Sequence, residues 1–216
     1  MVKHVRNVLV GPWCRMNAPN ETFTYEQVVN IARSLKNPRN RALFALEFLT
    51  GARVCEIVGR LLKRQLVFRK IEGREFLVIE RVYTEKKGSG KGSSRRKKKP
   101  TDRTLTIYIA RDAELVEIVE EFTATKQADD ILFPITRQRA WQILSAIIAQ
   151  NKKRSTDNMF LNGNHFMRHS RNTDLIIRYN FTDADLRKWN NWSSTEPAKD
   201  YEHLRTIDLA RRMINA

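Results

Sequence analysis

The feature that most constrains this chain is a change of period in its middle. "EFLVIERVY" (75–83) and "RTLTIYI" (103–109) are rich in β-branched and aromatic residues. In the second, Thr104, Thr106 and Tyr108 alternate with Leu105, Ile107 and Ile109. A period of two fits a strand with one buried face and is wrong for a helix. "QLVFRK" (65–70) reads as a shorter strand ahead of them, turning at Glu72-Gly73. Between the second and third strands lies "KKGSGKGSSRRKKK", Lys86 to Lys99, with eight basic residues and no acid. It is too long and too charged for a tight turn, so the pattern predicts a hairpin with a long basic tip.

Helical periods flank this hairpin. Thr24 stands before "YEQVVNIARSL" with Gln27 three residues on, the spacing of a capping box. "NPRNRALFALEFLT" follows, apolar enough to be a central helix, and Gly51 breaks it. Val54, Ile57, Val58 and Leu61 then form a helical stripe, with Arg53, Glu56 and Arg60 off it. After the strands, Leu115, Ile118, Val119 and Phe122 align, and so do Trp141, Leu144, Ser145 and Ile148. A polar loop from Asn151 leads to "NHFMRHSRNTDL" (164–175), then to a short helix "DADLRKW". A last helix is expected in "EPAKDYEHLRTIDLARRMIN", with Pro197 in its first turn, where proline is tolerated. No repeat is present. The order predicts an α+β, mostly α domain with a small antiparallel three-stranded sheet.

Charge narrows the function. There are 40 Lys and Arg against 24 Asp and Glu, a net +16, and the chain stays basic without the Lys86–Lys99 run. That excess points to a polyanion, above all nucleic acid. The run is Gly/Ser-rich and lacks an apolar face, which disfavours a membrane surface. No apolar run approaches the roughly 18 residues of a membrane span, and no secretory segment is evident. Cys14 and Cys55 are the only cysteines, so a four-thiolate metal cage is excluded and a disulfide framework is not expected. A reducing intracellular compartment is the simplest setting.

In "NHFMRHSRNTDL", His165, Arg168, His169 and Asn172 fall on one helical face, yet all are polar or basic. His165 and His169 have the spacing of a zinc-binding helix. That motif needs a glutamate beside the first histidine, and Phe166 stands there. "GSGKGSS" lacks the spacing of a phosphate-binding P-loop.

Taken in order, "TGARVCEI", the hairpin, "HFMRH" and "KWNNWSSTEPAKDYEH" resemble the catalytic domain of tyrosine recombinases, the phage-type integrases and Xer-type resolvases. The resemblance spans about Phe23 to Asn215. It implies Arg53, His165, Arg168 and Trp192 as catalytic residues, Tyr201 as nucleophile, and a catalytic lysine at Lys86, with Lys87 the alternative. Asn191 stands where the family has glycine, and Cys55 where it often has serine. The implied organisation is an arm (1–20) and a catalytic domain (21–216) with no separate N-terminal DNA-clamping domain. The implied partners are double-stranded DNA and further copies of the chain, as dimer or tetramer, with the C-terminal segment a candidate for exchange between neighbours. Neither cofactor nor metal is implied, and the location is cytoplasmic, on DNA. Type IB topoisomerase-like relaxation and a non-cleaving DNA-binding accessory protein are the alternatives.

The chemistry is coherent. Attack on a phosphodiester builds negative charge on its non-bridging oxygens, and planar guanidiniums such as Arg53 and Arg168 suit them. A tyrosine hydroxyl, with a pKa of about 10, needs a base or a strongly positive pocket. His165 is placed to accept its proton, His169 to orient the pocket, Lys86 to protonate the leaving 5′ oxygen, and Trp192 to donate its indole N–H to phosphate. Lys87, Lys91, Arg95, Arg96, Lys97, Lys98 and Lys99 are the expected DNA contacts. His203 is expected to be structural, and Trp13, Trp141 and Trp189 to be packing residues.

Overall fold

The computed structural model describes residues 22–84, 101–151 and 163–201; for Tyr83, Thr84, Thr101, residues 163–165 and Asp200 the backbone alone is described. Local capping starts the fold. The Thr24 hydroxyl accepts from the Gln27 backbone N–H and the Gln27 side chain accepts from Thr24 N–H, so both halves of the capping box close on helix α1 (Tyr25–Ser34). Helix α2 (Pro38–Thr50) begins with Asn37 as cap and Pro38 in its first turn. Every residue from Ala42 to Thr50 is buried. A helix buried all round must be enclosed on all sides, and α2 is packed by α1, by α4 (Ile109–Ala124), by α6 (Gly163–Tyr179) and by the third strand.

Gly51 ends α2 at φ +53°, the left-handed region that only glycine enters freely. The stripe from Val54 to Leu61 is buried at all four positions, but the helix there, α3, covers only Val54–Ile57. Gly59 at φ +70° turns the chain out of the helix and donates its N–H to Phe133 O.

The sheet has the order β1 (Leu66–Ile71), β2 (Arg74–Thr84), β3 (Thr101–Tyr108), antiparallel throughout. Leu77 pairs with Ile107 and Ile79 with Leu105, and these four side chains form the buried face. A bulge between Ile79 and Val82 puts Arg81 at positive φ, and the Gln65 amide caps the carbonyls of Glu80 and Arg81 there. β3 runs straight into α4, so Ile109, the last residue of the alternating pattern, begins a helix instead.

Helix α5 (Arg137–Asn151) buries Ala140, Ile143, Leu144, Ile147 and Ile148. Its inner face is therefore rotated from the expected stripe, and Trp141 is 42% exposed rather than packed. Helix α7 (Asp183–Asn190) carries a full capping box on Thr182 and Asp185. The expected last helix starts as a 3-10 turn, Glu196–Tyr201. A second apolar cluster of Leu175, Ile176, Leu186, Ala198 and Tyr201 holds that turn against α6 and α7, and Trp189 packs on both this cluster and the main core.

Rotation of α6 is set by a buried ion network. Asp112, at a break in the helical dihedrals of α4, takes two N–H groups of Arg171 at 3.3 and 2.6 Å, Arg178 at 2.5 Å and the Tyr179 hydroxyl at 2.8 Å. Asp174 takes Arg171 and Arg178 from the other side. Burial alone would raise the Asp112 carboxyl, but Arg171, Tyr179 and Arg178 together hold it below the usual carboxylate range.

Candidate active site

The site grows from the C-terminal end of α7. Its last carbonyls have no intrahelical donors and carry the negative end of the helix dipole. Trp189 O accepts from Arg103 Nη1 on β3, and Asn190 O accepts from Arg168 Nη2 on α6 at 3.1 Å. Consecutive carbonyls of one helix end thus hold two buried guanidiniums. Asn191 then adopts φ +52°, ψ +43°, which bends the chain toward Trp192 and the turn bearing Tyr201. Asparagine replaces glycine here because its short amide tolerates the left-handed region.

Arg53 stands at the start of α3. The buried Glu56 carboxylate accepts from the Arg53 backbone N–H (3.1 Å), from Arg53 Nη1 (3.2 Å) and from Arg103 Nη2 (3.1 Å). Arg53 and Arg103 therefore share one engaged carboxylate, whose charge is also felt by Arg168. Arg103 Nε and Arg168 Nη1 are buried with no hydrogen-bond partner among the described residues. Burial, then the nearby charges of Arg103 and Arg53, bring Arg168 down to about 10. Such a concentration of positive charge in low dielectric suits an anion.

Tyr201 is buried, and its hydroxyl meets two groups of α6. Asn172 Nδ2 lies at 3.1 Å and His169 Nδ1 at 2.5 Å. The polarity of this chain follows from its far end. Leu186 O can only accept, so the Asn190 amide nitrogen faces it at 3.1 Å and donates at 2.9 Å to Asn172 Oδ1. That turns the Asn172 amide nitrogen toward Tyr201. The phenolic oxygen then accepts from Asn172, and His169 Nδ1, when it carries no proton, is the acceptor for the phenolic hydrogen.

Among the residues singled out from the sequence, Arg53, Arg168, Trp192 and Tyr201 come together around α6 and the end of α7, with Trp192 half-buried in the Tyr201 cluster. His165 lies on the first turn of α6, described in backbone alone. Lys86, Lys87, Lys91, Arg95, Arg96, Lys97, Lys98, Lys99 and His203 lie outside the described residues. From the polar face of α6, His169 and Asn172 meet the Tyr201 hydroxyl.

Two members were missed. Arg103 shares the inward phase of Leu105 and Ile107, so a buried arginine on β3 was readable from the alternation. Asn190 closes a chain that no local pattern encodes.

No family model matches the chain, and no curated protein sequence matches it. Solved structures do. XerH site-specific recombinase bound to its difH substrate, in a pre-cleavage complex, is 19% identical with a TM-score of 0.53, over 88% of this chain and 52% of that one. Its post-cleavage complex with palindromic difH gives 19% and 0.52, over 91% and 54%. XerA recombinase gives 15% and 0.52, over 90% and 66%. The chain spans about half the length of the XerH structures. With helices enclosing a small antiparallel sheet, the fold resembles that of tyrosine recombinase catalytic domains.

Proposed function

We propose that this chain is a site-specific DNA recombinase that cleaves and rejoins strands through a 3′-phosphotyrosyl intermediate. The observation that carries this reading is the Tyr201 hydroxyl held between His169 and Asn172 on the helix that also presents Arg168. Tyr201 attacks the scissile phosphorus as its proton passes to His169. The Tyr O–P bond forms and the P–O5′ bond breaks. The 5′ oxygen leaves as a hydroxyl, protonated by Lys86. Arg53 and Arg168 neutralise the non-bridging oxygens, and Arg103 holds Glu56 and the end of α7 in place. Trp192 walls the nucleophile. The ester energy is kept in the phosphotyrosyl bond, so a second 5′-hydroxyl religates without ATP.

Double-stranded DNA is the proposed partner, and the likeness to XerH bound to difH supports it. Exchange between two duplexes requires several copies of the chain on DNA, as a dimer and then a tetramer. The Lys86–Lys99 run tracks the backbone through its charge.

A suicide DNA substrate, which loses the 5′-hydroxyl strand after cleavage, tests the reading. The unsubstituted chain forms a covalent adduct and Tyr201→Phe forms none. An adduct that survives the substitution sinks the nucleophile assignment. Relaxation of supercoiled DNA without exchange between duplexes would make the chain a topoisomerase instead.

A further inference from the structure

Helix α2 carries one acid among its buried apolar residues. Glu47 is fully buried, and neither carboxyl oxygen has a hydrogen-bond partner among the described residues. A carboxylate without donors in an apolar site is strongly disfavoured against its neutral form. Burial pushes Glu47 well above the usual carboxylate range, and the neighbouring Glu56 pushes the same way, with Arg168 opposing.

The opposite number of this acid is Arg168. Nη2 is engaged by Asn190 O, while Nη1 is buried and has no partner among the described residues. A carboxyl and a guanidinium N–H of complementary chemistry thus stand on two packed helices, α2 and α6, each without a partner among the described residues and not bonded to one another. The surrounding charges are committed elsewhere. Glu56 holds Arg53 and Arg103. Across α2, Arg171 lies over the Phe48 ring and is taken by Asp112 and Asp174, and Tyr25 of α1 meets the same ring.

We propose that Glu47 is a positioning residue for Arg168: as a neutral acid it leaves Nη1 free for a substrate phosphate, and on ionising it captures that guanidinium. This rests on the reading of Arg168 as a phosphate ligand. Phosphate at Arg168 and a proton on Glu47 then bind cooperatively, because a second negative charge nearby makes the carboxyl harder to ionise.

The test reads Arg168's share of duplex affinity, as the ratio of Kd for Arg168→Met to Kd for the unsubstituted chain. Fluorescence anisotropy with one labelled duplex oligonucleotide is run from mildly acidic to alkaline pH. The range stops short of the titration of Arg168 itself, which is brought down to about 10, and titration of the remaining groups is common to both proteins and cancels. The ratio falls as pH rises, by up to about tenfold per pH unit for one proton. In the Glu47→Gln background it stays level. Glu47→Leu, neutral and of similar volume, gives the same level profile if the glutamine variant does not fold. A ratio above one that is independent of pH, or that falls equally without the carboxyl, overturns the role of Glu47 and leaves the phosphate reading standing. A ratio of one at every pH overturns both.

Discussion

The Tyr201 hydroxyl lies 2.5 Å from His169 Nδ1, across 32 residues of sequence. Asn172 donates to the same oxygen from one turn further along α6. One lone pair of the phenol is thus occupied, and an unprotonated His169 Nδ1 gives its proton a directed exit.

Removing that exit slows the chemical step. His169→Ala lowers the rate of covalent adduct formation on a suicide duplex by about 10²–10⁴. Folding is retained, as a thermal melt checks. A larger loss from His165→Ala than from His169→Ala would return the proton-accepting role to His165.

The arginines separate by burial. Arg53 is 44% exposed at the side chain, so its pair with Glu56 contributes at most about 1 kcal/mol. Arg53→Ala therefore melts close to the unsubstituted chain, while its adduct rate falls about 10²–10³. Arg103→Ala strips a buried partner from Glu56 and from Trp189 O, and costs about 3–5 kcal/mol in urea unfolding.

Asp112 ties α4 to α6, and Asp112→Asn leaves two guanidiniums short of charge. We expect a loss of about 3–5 kcal/mol. The folded carboxyl sits below its unfolded value, so its contribution is present above the unfolded value and is lost as pH falls through the folded one. The gap between the two proteins in urea unfolding therefore narrows toward acid.

Glu47 has the opposite sign. Its folded value is raised, so between the ordinary carboxylate range and that value the folded state holds a proton that the unfolded state has lost. Stability falls as pH rises there, by about 1.4 kcal/mol per pH unit. Glu47→Gln removes this slope, so it gains on the unsubstituted chain as pH rises. Parallel curves would mean that the carboxyl does not titrate across that window.

The basic run acts through phosphate. Deleting Lys91–Lys99 lowers the slope of log affinity against log salt by roughly 0.9 for each phosphate that the run no longer neutralises. An unchanged slope returns the run to a solvated surface.

Much of this was legible locally. The alternation in 103–109 and the capping box at Thr24 report on neighbours two to four residues away, so strand, helix and their order follow from sequence alone. The Trp141 stripe misled because an aromatic side chain can lie on either flank of an amphipathic helix. The helix predicted from the stripe through Leu61 stops at Ile57, because Gly59 turns the chain although the apolar spacing continues past it.

By itself the sequence determined that α6 presents a polar face of His165, Arg168, His169 and Asn172. It did not determine that His169, with His165 on the same face, meets the Tyr201 hydroxyl. The two lie on the same side of the helix, about 6 Å apart along its axis at 1.5 Å per residue. The contact that His169 makes depends on the axial height at which the Tyr201 turn docks. That height follows from packing of Leu175, Leu186 and Ala198, and from the Asp112–Arg171 pair that sets the rotation of α6. Arg103 beside Glu56, and Glu47 on a helix packed against that of Arg168, are likewise products of docking. Their partners are far apart in sequence, and only desolvation in the assembled core gives those charges their meaning.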